Sequence, residues 1–206
     1  MTRVLVTAFE PYGDWQENAS WLALVELTKS LPAAPRVTTR RYPVSFAEVR
    51  SMLADDLADD YEYALHLGQA PGSERVRLEA IAVNIGGASS QPPEQFQPLI
   101  DDGPVAYRSE LPLADWAVAL RGEGIPAEVS YHAGTFLCNA TMYLSHHLVR
   151  QQRLKTRVAF VHLPLDPSQL DGRAAALPAL PAPVSASAVR HLLRRLDGAG
   201  STPQQE

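Results

Sequence analysis

Two hydrophobic spacings take turns along this chain. Arg3 to Phe9 is a short, nearly unbroken apolar run ending in Glu10-Pro11-Tyr12-Gly13-Asp14, where Pro and Gly force a loop. It predicts a buried first strand with a turn at its carboxyl end. Ser20 then opens Trp21-Leu22-Ala23-Leu24-Val25-Glu26-Leu27, a helix that Pro32 stops. Val37 to Val44, β-branched and aromatic, predicts a second strand. Ser45 and Glu48 follow with capping-box spacing for a helix carrying Val49, Met52, Leu53 and Leu57. Glu62 to Leu67 reads as a third strand ending at Gly68, and Val76 to Ile85 as a fourth, with the polar loop Gln69 to Arg75 between them.

The rhythm breaks from Gly86 to Pro112 into Gly, Ser, Pro and Asp with short apolar pieces. Such an excursion in a compact domain reads as a lid or an oligomer contact, or else as a plain solvated loop. Leu113 to Leu120 then fits a helix ended by Gly122 and Gly124. Ala127 to His132 fits a strand, Cys138 to Gln152 a helix, and Arg157 to Leu163 a strong apolar strand closed by Pro164. After Pro167 the chain is Ala- and Pro-rich through Val184, and a last helix, Ser187 to Leu196, ends at Gly198. Residues 199–206 are expected to be a disordered tail. Strands alternating with helices imply an α/β fold: a three-layer α/β/α sandwich around a mixed, largely parallel sheet, in one domain spanning 1–198.

Composition narrows the function. With 46% hydrophobic and 20% charged residues in 206, the chain can bury a full core. The net charge of -5 is mild and the basic residues are scattered, so neither nucleic acid nor an anionic membrane surface is an expected partner. A single cysteine excludes an intrachain disulfide. The N-terminus enters a strand without a signal-peptide layout, and no apolar run approaches the roughly 18 residues that cross a bilayer. The expected location is the cytoplasm.

That single cysteine, Cys138, falls where a strand-like segment gives way to a helix. The free N–H groups and positive dipole end of a helix N-terminus favour a thiolate over a thiol. Ligand sites in open α/β sheets lie beyond the carboxyl ends of the strands. His162 stands near the end of its strand, and Glu79 lies within Arg77 to Asn84. Thiol, imidazole and carboxylate make a nucleophile–base–orienter set. Each also has a plainer reading: Cys138 as a small buried hydrophobe, His162 as a core histidine bonded to backbone, and Glu79 on the wet face of a strand or paired with Arg75 or Arg77.

Several motifs in order, over about residues 4–170, carry a family resemblance. They are Val4 to Gly13 with Asn18 and Ser20; His66-Leu67-Gly68-Gln69-Ala70 through Glu79 to Asn84; Gln97-Pro98, Asp102-Gly103-Pro104 and Leu111-Pro112; Ala133 to Asn139 with Met142-Tyr143; and Phe160 to Pro164. The chain resembles the type I pyroglutamyl peptidases, cytoplasmic cysteine peptidases that work without metal or cofactor. The resemblance implies an α/β/α sandwich, assembly as a homotetramer, and hydrolysis of the amide after an N-terminal pyroglutamyl residue of a peptide. It puts Cys138, His162 and Glu79 on the catalytic positions. Phe9, Tyr12, Phe136, Leu137 and Met142 match positions near the substrate, with Asn18 and Gln69 available for polar contacts. Phe9, Leu137 and Met142 equally suit core packing, and Asn18 suits a helix cap.

The loops depart from the family pattern. Tyr12-Gly13-Asp14 replaces Phe-Gly-Gly, Pro71-Gly72-Ser73 replaces Gly-Gly-Arg, and Ala88-Ser89 replaces Ala-Arg. A missing arginine would weaken charge stabilisation unless Arg75 or Arg77 compensates. These departures keep two alternatives in view: a non-catalytic lactam-binding protein and a cysteine hydrolase of another small cyclic amide. His146-His147 point about 100° apart on a helix and lack partners with metal-ligand spacing, so no zinc site is expected.

Overall fold

The buried runs pair into a six-stranded sheet in the computed structural model, which describes residues 1–88, 90–170 and 176–199. Strands β1 (Arg3–Phe9), β2 (Arg36–Tyr42), β3 (Tyr63–Gln69), β4 (Val76–Glu79), β7 (Ala127–Ser130) and β8 (Arg157–Leu163) lie in the order β2-β1-β3-β8-β4-β7. Neighbours run parallel except β4 with β8, which are antiparallel. Strands β5 (Ile81–Val83) and β6 (Ala106–Arg108) form a separate antiparallel pair.

Alternation along the strands makes the layers, because successive side chains point to opposite faces. Val4, Val6 and Ala8 of β1 pack with helices α1 (Ala19–Thr28), α3 (Leu113–Gly122) and α5 (Ala182–Ala199) through Leu24, Leu27, Trp116, Leu120, Leu192 and Leu193. Leu5 and Phe9 face the other way, toward Val49 and Leu53 of α2 (Phe46–Leu57) and Tyr143 and Leu144 of α4 (Leu137–Gln151). Each fully buried leucine is worth about 1.5–3 kcal/mol of transfer free energy, which is why both faces are covered.

The helix starts follow local chemistry. Asn18 caps α1, its Oδ1 accepting the Ser20 N–H at 3.0 Å. Ser45 caps α2 by accepting the Glu48 N–H. The last helix begins five residues earlier than its apolar pattern suggests, at Ala182 rather than Ser187. Pro183 is tolerated in a first turn, and the Ala182 N–H donates to Oδ2 of Asp166 at 2.6 Å. Of the expected disordered tail, Ala199 closes α5 and 200–206 lie outside the described residues, as does Ser89.

One expected element is corrected. The run Val76 to Ile85 is not a single strand: it leaves the main sheet after Glu79 and restarts as β5 against β6. Nothing in its apolar pattern marks the break. The split is made from outside, where Asn139 accepts the Val83 N–H at 2.8 Å and donates to the carbonyls of Val83 and Ile85, each at 2.9 Å. The long excursion that follows is ordered by Asn84. Its side chain accepts from Leu99 and Ile100 N–H and donates to Ile100 and Gly103 carbonyls.

Candidate active site

Parallel strands β1, β3 and β8 end on one edge of the sheet, and a cavity of about 390 Å³ opens there. Phe9 and Tyr12 wall it beside β1, Gln69 at the end of β3, His162 on β8, Arg77 on β4, and Thr135 to Cys138 at the start of α4. Gly134, with φ of +80°, makes the turn that brings the chain from β7 into that helix.

Strand register sets the chemistry. Across the antiparallel β4–β8 pair, Arg77 lies opposite His162 and Glu79 opposite Phe160, and directly paired residues share a face. His162 Nδ1 consequently lies 2.8 Å from Glu79 Oε1, with both side chains buried. Burial by itself would raise the Glu79 pKa. The hydrogen bond and positive charge of His162, with smaller contributions from Ser130 and Arg77, hold it below the usual carboxylate range instead. Burial likewise pushes His162 down, but the negative charge of Cys138, a hydrogen bond to it, and Glu79 outweigh this and raise the ring to about 9. At neutral pH the ring is an imidazolium between Cys138 and Glu79, with Nε2 left for the sulfur.

Cys138 is the second residue of α4 and half-buried. Its N–H precedes the bond from Ala140 N–H to the Phe136 carbonyl, so it lies among the helix's unpaired N-terminal donors. The sulfur reaches over β3 at Gly68, a residue in register with His162. A Cβ at position 68 would sit 2.9 Å from Cys138 Sγ and 2.7 Å from Phe160 Cζ. Gly68 is expected to end a strand, whereas β3 runs through it to Gln69. A glycine inside an apolar strand is the available signal of such a close approach.

Of the other expected site residues, Phe9, Tyr12, Asn18, Gln69, Phe136 and Leu137 line the cavity. Met142 does not: it is fully buried in the core between the sheet and α4, one turn behind the cysteine, so its placement by the cavity is corrected to core packing. Asn18 keeps its capping role while forming part of the wall, with Nδ2 donating to the Glu10 carbonyl at 2.9 Å. Gln69 Oε1 accepts from Ala19 N–H and from Gln169 Nε2, each at 2.7 Å. The Ala19 donor fixes which amide atom is oxygen, and the remaining Nε2 is buried beside the Tyr12 hydroxyl without a well-formed hydrogen bond. Burial and the Cys138 charge push the Tyr12 hydroxyl's pKa up, opposed by Gln69, so it stays neutral. His146 and His147 pack against Tyr107, and among the described residues no group of three His, Cys, Asp or Glu is placed to hold a metal ion. None of the described residues of the excursion lines the cavity. A hydrogen bond from Gly87 N–H to the Thr135 carbonyl ties it to the chain beside the site.

A model of the family described as pyroglutamyl peptidase matches residues 2–194. The chain belongs to the pyroglutamyl peptidase family. A pyrrolidone-carboxylate peptidase from Streptomyces coelicolor is 38% identical over 214 aligned residues, covering 100% of this chain and 95% of that one. Another from Clavibacter michiganensis is 37% identical, covering 84% and 83%. Among solved structures, pyrrolidone carboxyl peptidase from Fervidobacterium islandicum superposes with a TM-score of 0.89 at 32% identity, covering 96% of this chain and 99% of that one. A mutant from Pyrococcus furiosus gives 0.88 at 29%, covering 98% and 100%. In this member of the family, cysteine, histidine and carboxylate come together at one strand edge.

Proposed function

We propose that the chain is a cysteine exopeptidase that hydrolyses the amide bond after an N-terminal pyroglutamyl residue. Cys138 is the nucleophile, His162 the acid and base, and Glu79 the group that orients and charges the ring. The reading is carried by the 2.8 Å His162–Glu79 contact set beside Cys138 at a small, largely apolar cavity. A pyroglutamyl ring is flat and neutral. Phe9, Tyr12, Phe136 and Leu137 supply walls for it, and the unpaired Gln69 Nε2 supplies a donor for the ring carbonyl, whose absence would leave a buried amide unsatisfied.

The Cys138 sulfur attacks the pyroglutamyl carbonyl carbon, and the displaced electron pair on oxygen meets the Cys138 N–H. Collapse expels the amine, which takes the proton from His162 Nε2 and leaves a thioester. His162, now neutral, removes a proton from water as the water oxygen attacks that thioester. Pyroglutamate leaves and the sulfur and imidazolium are restored. Glu79 holds the Nδ1 proton throughout.

Hydrolysis of a fluorogenic pyroglutamyl amide tests the reading, with Cys138→Ala and a thiol alkylator as controls. Turnover abolished by both supports it. Binding of a pyroglutamyl amide without turnover would favour the non-catalytic alternative. The chemistry needs a free thiol, which a reducing compartment such as the cytoplasm maintains. Assembly as a homotetramer belongs to the same proposal, and sedimentation equilibrium measures it.

A further inference from the structure

Arg77 acts in the steps above only through its charge near Glu79, yet it lines the cavity. A neutral lactam gives a guanidinium no charge to pair with. Register places Arg77 opposite His162, the residue that hands its proton to the departing amine. Arg77 therefore stands beside the proton donor to the leaving portion. No carboxylate lines the cavity among the described residues. Beside it, Arg77 Nε donates to Glu128 Oε1 at 3.2 Å, while Arg75 Nη1 lies 4.0 Å from Glu128 Oε2. Two arginines share that one acid.

We propose that Arg77 is a specificity-determining residue that favours substrates carrying a carboxylate on the leaving portion, either an acidic side chain next to the pyroglutamyl residue or the free terminus of a dipeptide. The inference rests on the peptidase reading and adds the class of peptide preferred. Arg77 is 40% exposed, so the attraction is that of a partly screened ion pair.

The test compares kcat/KM within two matched pairs: pyroglutamyl-Asp-amide against pyroglutamyl-Asn-amide, and pyroglutamyl-Ala against pyroglutamyl-Ala-amide. The first pair reports a side-chain carboxylate, the second a terminal one. The acid-to-neutral ratio in at least one pair is expected to be about three- to fivefold at low salt. It falls to about one in Arg77→Gln, is partly kept in Arg77→Lys, and rises in Glu128→Gln as the competing acid is removed. Because the ratio is taken within each variant, general losses of activity or stability cancel. Ratios near one in wild type, or ratios that neither Arg77→Gln nor Glu128→Gln moves, overturn the proposal and leave Arg77 as a tie between β4 and β7. Hydrolysis of none of the four substrates overturns the peptidase reading and this one with it.

Discussion

His66 and His162 occupy nearly equivalent places and behave in opposite ways. They lie on adjacent strands and share one face, His66 in register with Phe160 and His162 in register with Gly68. Both rings pack against Phe160, and both are buried. His66 is bounded by hydroxyls, with Thr7 Oγ1 2.8 Å from Nδ1 and Ser145 Oγ 2.9 Å from Nε2. Ser145 spends its proton on the Thr141 carbonyl, so His66 Nε2 donates to Ser145 and Nδ1 accepts from Thr7. Burial and the neighbouring His146 push His66 down to about 3. Two residues along the sheet edge, Cys138 and Glu79 reverse that direction for His162. Burial alone makes a silent histidine, and burial with two acidic neighbours makes a working one.

The largest expected effect separates the two residues outright. His162→Ala should lower kcat/KM by at least about a thousandfold, as removal of the base from a nucleophile pair does. His66→Ala should keep the chemistry and cost about 2–4 kcal/mol of stability by leaving a void and a stranded Thr7 hydroxyl, read from urea unfolding. Glu79→Gln turns His162 toward the His66 condition. Its expected cost is about 10²–10⁴ in kcat, and the alkaline limb of the pH–rate profile should move below pH 9 as the ring loses its carboxylate.

Gly68→Ala probes the spacing rather than the charge. A Cβ at 2.9 Å from Cys138 Sγ must displace the thiol or the Phe160 ring, so turnover should drop about tenfold or more with roughly 1–3 kcal/mol lost on unfolding. The smallest effect is in the wild type itself, where the two histidines give opposite pH slopes. His162 binds its proton more tightly when folded, so its contribution is full below about pH 6.5 and disappears as pH rises through about 9. His66 resists protonation when folded, so stability drains as pH falls below about 6.5 and levels off near 3. Urea midpoints in wild type and His66→Ala, measured from pH 4 to 10, would show whether the acid slope belongs to His66.

The layering is legible in the sequence because period-2 and period-3.6 burial leave different marks, and the strands ending at Phe9 and Leu163 are found within a residue. The Cys138 corner is legible for the same reason. Glu79 is harder: an alternating strand cannot say whether a carboxylate faces water or a buried ring, and only the β8 register decides it. The break after Glu79 is invisible because Asn139, which enforces it, lies far along the chain. Met142 misleads because a methionine one helical turn past the nucleophile fits a cavity wall and a core equally well. The orphan amide of Gln69 depends on Ala19 and Gln169, contacts that no local pattern encodes.

Gly68 carries a last consequence, for how this sequence can drift. A crowded side chain can usually be relieved by a smaller one, so most packed positions leave natural selection some retreat. Position 68 has none, since every other amino acid adds at least the carbon that collides with Cys138 and Phe160. In a saturation library selected for turnover, it should tolerate fewer substitutions than Gln69. A residue with no side chain is then held in place by what any side chain would displace.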